Sequence, residues 1–170
     1  MLLNSLIVFK IKSLLKTAIM GFGNPVRSDD AVGCYVIEQL QQKGIESDTI
    51  SLFDMGTGAF EVLFKLLGHS RIIIVDAVIN TGEPVGTLYK VPAHEIQGAI
   101  QDDPMVFLHS IKWDQALSYA KKIMRENYPD DITVYLISVD NTRIEIELSD
   151  EVRQAGDKVV DYILKHVMAL

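Results

Sequence analysis

Apolar and polar positions along this chain repeat at two different periods, and the switches between them divide it into strand-like and helix-like segments. Thr17 to Phe22 is a short, apolar, β-compatible run ending in Gly21-x-Gly23-Asn24-Pro25. There glycine admits unusual backbone angles and proline removes a donor, so a strand followed by a loop is expected. From Asp30 to Lys43, Ala31, Val32, Val36, Ile37 and Leu40 recur at helical spacing. This predicts an amphipathic helix with Ser28, Asp29 or Asp30 as N-cap and Gly44 as its stop.

A second strand is expected over Thr49 to Phe53, after which Asp54-Met55-Gly56-Thr57-Gly58 turns the chain into a helix carrying Phe60, Val62, Leu63, Phe64, Leu66 and Leu67, ended by Gly68. Arg71 to Ala77 contains the β-branched run Ile72-Ile73-Ile74-Val75, suited to a central strand buried on both faces of a parallel sheet. Asn80 to Gly86 is turn chemistry, and Thr87 to Val91 reads as a short strand suited to an antiparallel edge. Residues 92–111 carry no regular pattern. A helix from Lys112 to Glu126, an alternating strand from Ile132 to Val139 and a helix from Ser149 to Val167 complete the chain, with Ser149 as the last helix's N-cap. Strands alternating with helices over short connections predict an α/β three-layer sandwich around a mainly parallel sheet of five or six strands.

The 170 residues suffice for one domain, and 48 % hydrophobic with 23 % charged residues is the balance of a globular protein with a packed core. A net charge of -7, with no run of basic residues interleaved with aromatics, argues against a nucleic-acid partner. The single cysteine, Cys34, cannot form an internal disulfide, which favours a reducing cytoplasm. The opening MLLNSLIVFKIKSLL resembles a targeting signal only superficially: no positive charge precedes the apolar stretch, Lys10 and Lys12 interrupt it, and it is too short to span a bilayer. Residues 1–16 are therefore read as an N-terminal extension of uncertain role, and 17–170 as a single α/β domain without membrane insertion.

Three strand-like runs end in or just before aspartate: the first at Asp29 and Asp30, the second at Asp54, the third at Asp76. Parallel neighbours would deliver these carboxylates to one rim, where open α/β sheets place their ligands. The Gly-x-Gly-Asn-Pro loop lies where a dinucleotide fold binds phosphate. However, the third glycine is missing, and Asp29 and Asp30 would repel a pyrophosphate. One helix cap accounts for one aspartate and not two, so Asp29 is read as loop or cap and the role of Asp30 stays open at this point. Asp76, at the end of a buried strand, is costly unless paired, hydrogen-bonded or metal-bound. Asp54 divides evenly between a turn residue and a functional one.

Among the histidines, His69 reads as a turn residue, His166 lies on the terminal helix and His94 is undecided, whereas His109 precedes the helix bearing Asp114, on a loop able to reach the rim. Two carboxylates and one imidazole form a three-ligand set that leaves positions open, suiting nickel, zinc or iron. Cys34 reads as core packing, Trp113 as core or rim apolar surface, and no Gly-x-Ser-x-Gly elbow exists for a serine hydrolase.

Gly21-Phe22-Gly23-Asn24-Pro25, Arg27-x-Asp29-Asp30-x-x-Gly33, Asp54-x-Gly56-Thr57-x-x-x-Glu61, Val75-Asp76-Ala77, Pro84-x-Gly86 and Leu108-His109, taken in order, resemble the hydrogenase maturation proteases. The resemblance implies a three-layer α/β endopeptidase that removes a C-terminal extension from a nickel-iron hydrogenase large-subunit precursor after nickel insertion. It further implies Asp30, Asp76 and His109 as metal-contacting positions, recognising nickel that the precursor supplies. Asp54 is then a candidate acid or base, and Gly56 and Thr57 belong to a peptide-binding turn. Met55 stands where many relatives carry glycine, and Ser110 to Asp114 departs from the commoner Asp-Leu-Gly type. Two competing readings are a nickel-dependent chaperone that holds the precursor uncut and a peptidyl-tRNA hydrolase. The latter shares the Gly-x-Gly-Asn-Pro loop, but its Arg-His-Asn pattern is absent here.

Overall fold

A computed structural model of the chain describes residues 16–96 and 112–167. Strands β1 (Thr17–Phe22), β2 (Ile50–Gly56), β3 (Arg71–Val78), β4 (Leu88–Pro92) and β5 (Asp131–Ser138) form one five-stranded sheet in the order β2-β1-β3-β5-β4. All neighbours pair in parallel except β4, which runs antiparallel to β5 at one edge. The expected α/β class, the central place of β3 and the antiparallel edge strand are all present.

Helices α1 (Val32–Gln42) and α4 (Asp150–Val167) cover one face of the sheet, and α2 (Val62–Lys65) and α3 (Trp113–Met124) cover the other. Because side chains alternate across a strand, β3 contributes Ile73 and Val75 to the first core and Ile72 and Ile74 to the second. From β1 the chain crosses outward to β2, whereas from β3 the sheet continues the other way toward β5. The order therefore reverses between β1 and β3, which leaves a crevice outside their carboxyl ends.

One helical segment and one strand differ from the pattern-based expectation. The helix after β2 is a 3-10 turn, Ala59–Glu61, followed by the single helical turn of α2. β2 itself runs past Phe53 through Gly56, so Asp54 lies within the strand. A register shift beside Phe22 allows this, with Phe22 pairing to Gly56.

The expected N-cap is also absent. The chain enters α1 through a 3-10 turn, Ser28–Ala31, and neither helix start carries a side-chain cap. The three polar side chains are used elsewhere. Ser28 Oγ donates to the Glu147 carbonyl at 2.8 Å, and Asn24 N–H donates to Asp30 Oδ2 at 2.9 Å. Asp29, completely buried, accepts from Ser149 N–H at 2.7 Å and Ser149 Oγ at 3.0 Å, immediately before α4. Asp29 thus secures the start of a helix more than a hundred residues away rather than its own.

Replacing Asp29 with Ala strands the part-buried Ser149 N–H and removes two hydrogen bonds to a charged group. Urea unfolding of Asp29→Ala is expected to show a stability loss of about 3 kcal/mol; an unchanged midpoint would show that the link to Ser149 contributes nothing.

Candidate active site

The crevice holds a cavity of about 580 Å³ whose wall includes Asp30, Asp76, Gly56 and Thr57. Each arrives by a local rule. Asp30 sits in the 3-10 turn that follows the β1 loop, with Oδ2 held by Asn24 N–H. Asp76 lies two residues beyond Ile74, so strand alternation points it to the α2 and α3 face. Gly56 takes φ 49°, a left-handed conformation suited to glycine, and turns the chain from β2 into Thr57 at the cavity edge.

Both oxygens of Asp76 are engaged. Oδ1 accepts Ala77 N–H at 2.8 Å and Oδ2 accepts the Trp113 indole N–H at 2.7 Å. Burial pushes the Asp76 carboxyl up from 3.8 to about 6; the two hydrogen bonds oppose that rise, and the negative charges of Asp30 and Asp114 add to it.

Two residues that the sequence did not single out complete the wall. Trp113, read as apolar surface, packs its ring 6.2 Å from that of Phe22 and donates to Asp76. A buried indole needs a partner for its N–H, which was the available signal. Asp114, in the first turn of α3, lines the cavity, and its buried Oδ1 has no hydrogen-bond partner among the described residues. An acidic residue at a helix start ordinarily reads as a complement to the helix dipole, so spacing alone did not distinguish it.

Asp54 does not join this group. It shares the strand face of Leu52, which packs on the α1 side, so it lies across the sheet from Asp76. Its Oδ1 accepts Gly56 N–H at 3.1 Å, a local turn-shaping bond. Buried Cys34 is nearby: its thiol is pushed up to about 12, by burial first and by the neighbouring Asp54 carboxylate second, and it donates to the Gly23 carbonyl at 3.5 Å. Such a thiol is a packing group and not a nucleophile.

His109 lies outside the described residues. His69 is held between the Lys65 carbonyl and the Ser51 hydroxyl, His166 contacts the Tyr162 carbonyl, and neither these nor His94 line the cavity. Among the described residues, no three His, Cys, Asp or Glu side chains are grouped to hold a metal ion, and no helix is long and apolar enough to cross a membrane.

An α/β sheet with an acidic cavity at its switch point is the arrangement of a ligand-binding enzyme. The family model described as hydrogenase maturation protease matches residues 34–166, and the chain belongs to that family of peptidases. The Hydrogenase 2 maturation protease of Escherichia coli is 30 % identical over 74 residues, a match spanning 44 % of this chain and 45 % of that protein. A putative hydrogenase maturation protease of Methanocaldococcus jannaschii is 24 % identical across 99 % of this chain and 98 % of its own. Among solved structures, the hydrogenase maturating endopeptidase HybD from E. coli superposes with a TM-score of 0.71 at 22 % identity, covering 91 % of this chain and 93 % of its own. The hydrogenase 2 maturation peptidase from Thaumarchaeota archaeon gives a TM-score of 0.63 at 25 % identity, covering 89 % and 97 %. Family membership leaves no place for the peptidyl-tRNA hydrolase reading.

The raised Asp76 value has a definite sign for stability. The folded state holds that proton more tightly than the unfolded chain, so the contribution is fully present below pH 3.8 and is lost as pH rises through about 6. Carboxyl-carbon NMR is expected to show one aspartate titrating near pH 6, absent in Asp76→Asn. A midpoint for Asp76 in the ordinary range near 4 would contradict the buried environment.

Proposed function

We propose that this chain is the endopeptidase that removes the C-terminal extension of a nickel-iron hydrogenase large-subunit precursor, and that it recognises nickel already inserted in that precursor. The observation that carries the reading is the meeting of Asp30 and Asp76 in one cavity with the Gly56–Thr57 turn, in a member of this family. The electrostatics supply the reason. Asp30 and Asp114 both raise the carboxyl of a buried Asp76, so the cavity carries mutual repulsion that an incoming cation offsets. A precursor presenting nickel on its own cysteines brings that cation; an empty precursor does not. Asp30, Asp76 and His109 are the proposed contacts to it, and nickel is substrate cargo, not a resident cofactor. The reaction belongs in the cytoplasm, where Cys34 stays reduced.

Hydrolysis also needs a group that moves a proton. Asp54, assigned that role on sequence grounds, faces the other side of the sheet, which favours a turn-shaping role for it. Asp114 is the better candidate: it is a cavity-lining carboxylate with a buried oxygen that meets no partner among the described residues. Its carboxylate takes a proton from water as the water oxygen bonds to the scissile carbonyl carbon. It then returns that proton to the leaving amine as the C–N bond breaks.

Mass spectrometry after mixing with nickel-loaded precursor is expected to show loss of one defined C-terminal peptide, while nickel-free precursor stays uncut. Equal cleavage of both would remove metal recognition, and a stable uncut complex would favour the chaperone. Asp76→Ala is expected to abolish processing with the fold retained. Asp114→Asn should slow it by about 10²- to 10⁴-fold, and wild-type rates in that variant would move the proton-transfer role elsewhere.

A further inference from the structure

We infer that Trp113 is a positioning residue that sets the orientation of the Asp76 carboxylate. The inference deepens the proposed function, because it rests on Asp76 facing the metal-loaded precursor. Trp113 is the first residue of α3, and the start of that helix is itself held, with Gln115 Oε1 accepting Lys112 N–H at 3.1 Å. Its ring is buried and packs at 34° to the ring of Phe22, which fixes where the indole edge points. That edge meets Asp76 Oδ2 at 2.7 Å, a short distance of the kind charge-assisted hydrogen bonds adopt.

The second oxygen of the same carboxylate is tied to Ala77 N–H at 2.8 Å, so the group is held at both ends. Swinging the carboxylate breaks at least one of these bonds. An ionised carboxylate offers about four lone-pair sites. With one at each oxygen occupied by a fixed donor, the remaining pairs keep one orientation relative to the cavity wall. Indole N–H is a donor only and does not ionise in the working pH range, so it performs this one task without competing for the ligand. Groups that orient a metal-contacting side chain in this way affect activity by about 10- to 100-fold when removed.

Trp113 is the only tryptophan in the chain, so every indole signal reports on it alone. The test removes the N–H in two ways: Trp113→Phe, which leaves a smaller ring, and the full chain with Trp113 replaced by benzothienylalanine, which keeps the indole shape with sulfur in place of N–H. Both are expected to lose about 10- to 100-fold in kcat/KM for nickel-loaded precursor, much of it as a raised KM because Asp76 contacts the substrate's nickel. The single indole N–H cross-peak in a ¹⁵N–¹H spectrum is expected to move in Asp76→Ala. Wild-type kcat/KM in the benzothienyl protein, or an indole peak unmoved by Asp76→Ala, would overturn the positioning role. Full processing by Asp76→Ala would instead overturn the functional reading, while the indole peak would still report whether Trp113 holds Asp76.

Discussion

The rim of this protein depends on one close approach, that of helix α1 onto the backbone of β1 and β3. A Cβ on Gly21 would lie 2.1 Å from the Gly33 carbonyl oxygen, and a Cβ on Gly33 would lie 2.1 Å from the Phe22 oxygen and 2.5 Å from that of Val75. Real Cβ atoms do not come so near backbone oxygens, so only glycine at both places lets helix and strands touch. With α1 seated this low, the turn before it sits over the carboxyl ends of β1 and β3, and Asp30 reaches the crevice that Asp76 enters from β3. Any side chain at Gly21 or Gly33 lifts the helix and carries Asp30 with it.

The turn is fastened from a second direction. Ser28 adopts φ 48°, a left-handed conformation that is costly for a residue with a side chain. Its N–H donates to the Glu145 carbonyl, its hydroxyl donates to the Glu147 carbonyl, and the Asn141 amide donates to its oxygen. Together with the bonds from Ser149 to Asp29, these tie the segment between β5 and α4 to the loop after β1. The strain at Ser28 and the burial of Asp29 are both compensated by this segment. Asp30, one residue on, is thereby held as part of a rigid platform.

Strand parity gives the two rim aspartates different neighbours. Asp76 lines the cavity with Asp30 and Asp114, while Asp54, on the strand face of Leu52, stands beside the unreactive Cys34 thiol, which also feels the Asp76 charge more weakly. Pattern reading recovered most of this frame, because the run Ile72 to Val75, the spacing of α1 and the long amphipathic α4 are strong local signals. It misjudged the segments where local signals compete. The apolar residues after Gly58 form only a short turn of helix, and β2 extends to Gly56 because a register shift lets Phe22 pair with it, which strand propensity does not describe. Asp29 looked like a cap for the next helix and serves a distant one, since capping preference says which residue type is wanted but not which helix end it will meet.

The sequence by itself determined the layers, the parallel sheet with its antiparallel edge, the family, and the delivery of Asp30 and Asp76 to one rim. The layers, the sheet and the shared rim follow from periodicity, turn residues and the rule that strand ends gather where the order reverses, while the family follows from the resemblance of the ordered motifs. Only the tertiary structure decided which aspartates share a cavity, because that depends on strand parity relative to the two helix layers and on a one-residue register shift. It likewise decided that Trp113 and Asp114, distant in sequence from the aspartate motifs, stand beside Asp76. A hydrogen bond between a strand end and the first turn of a helix across the crevice leaves no trace in local spacing, since nothing nearby in the chain requires it.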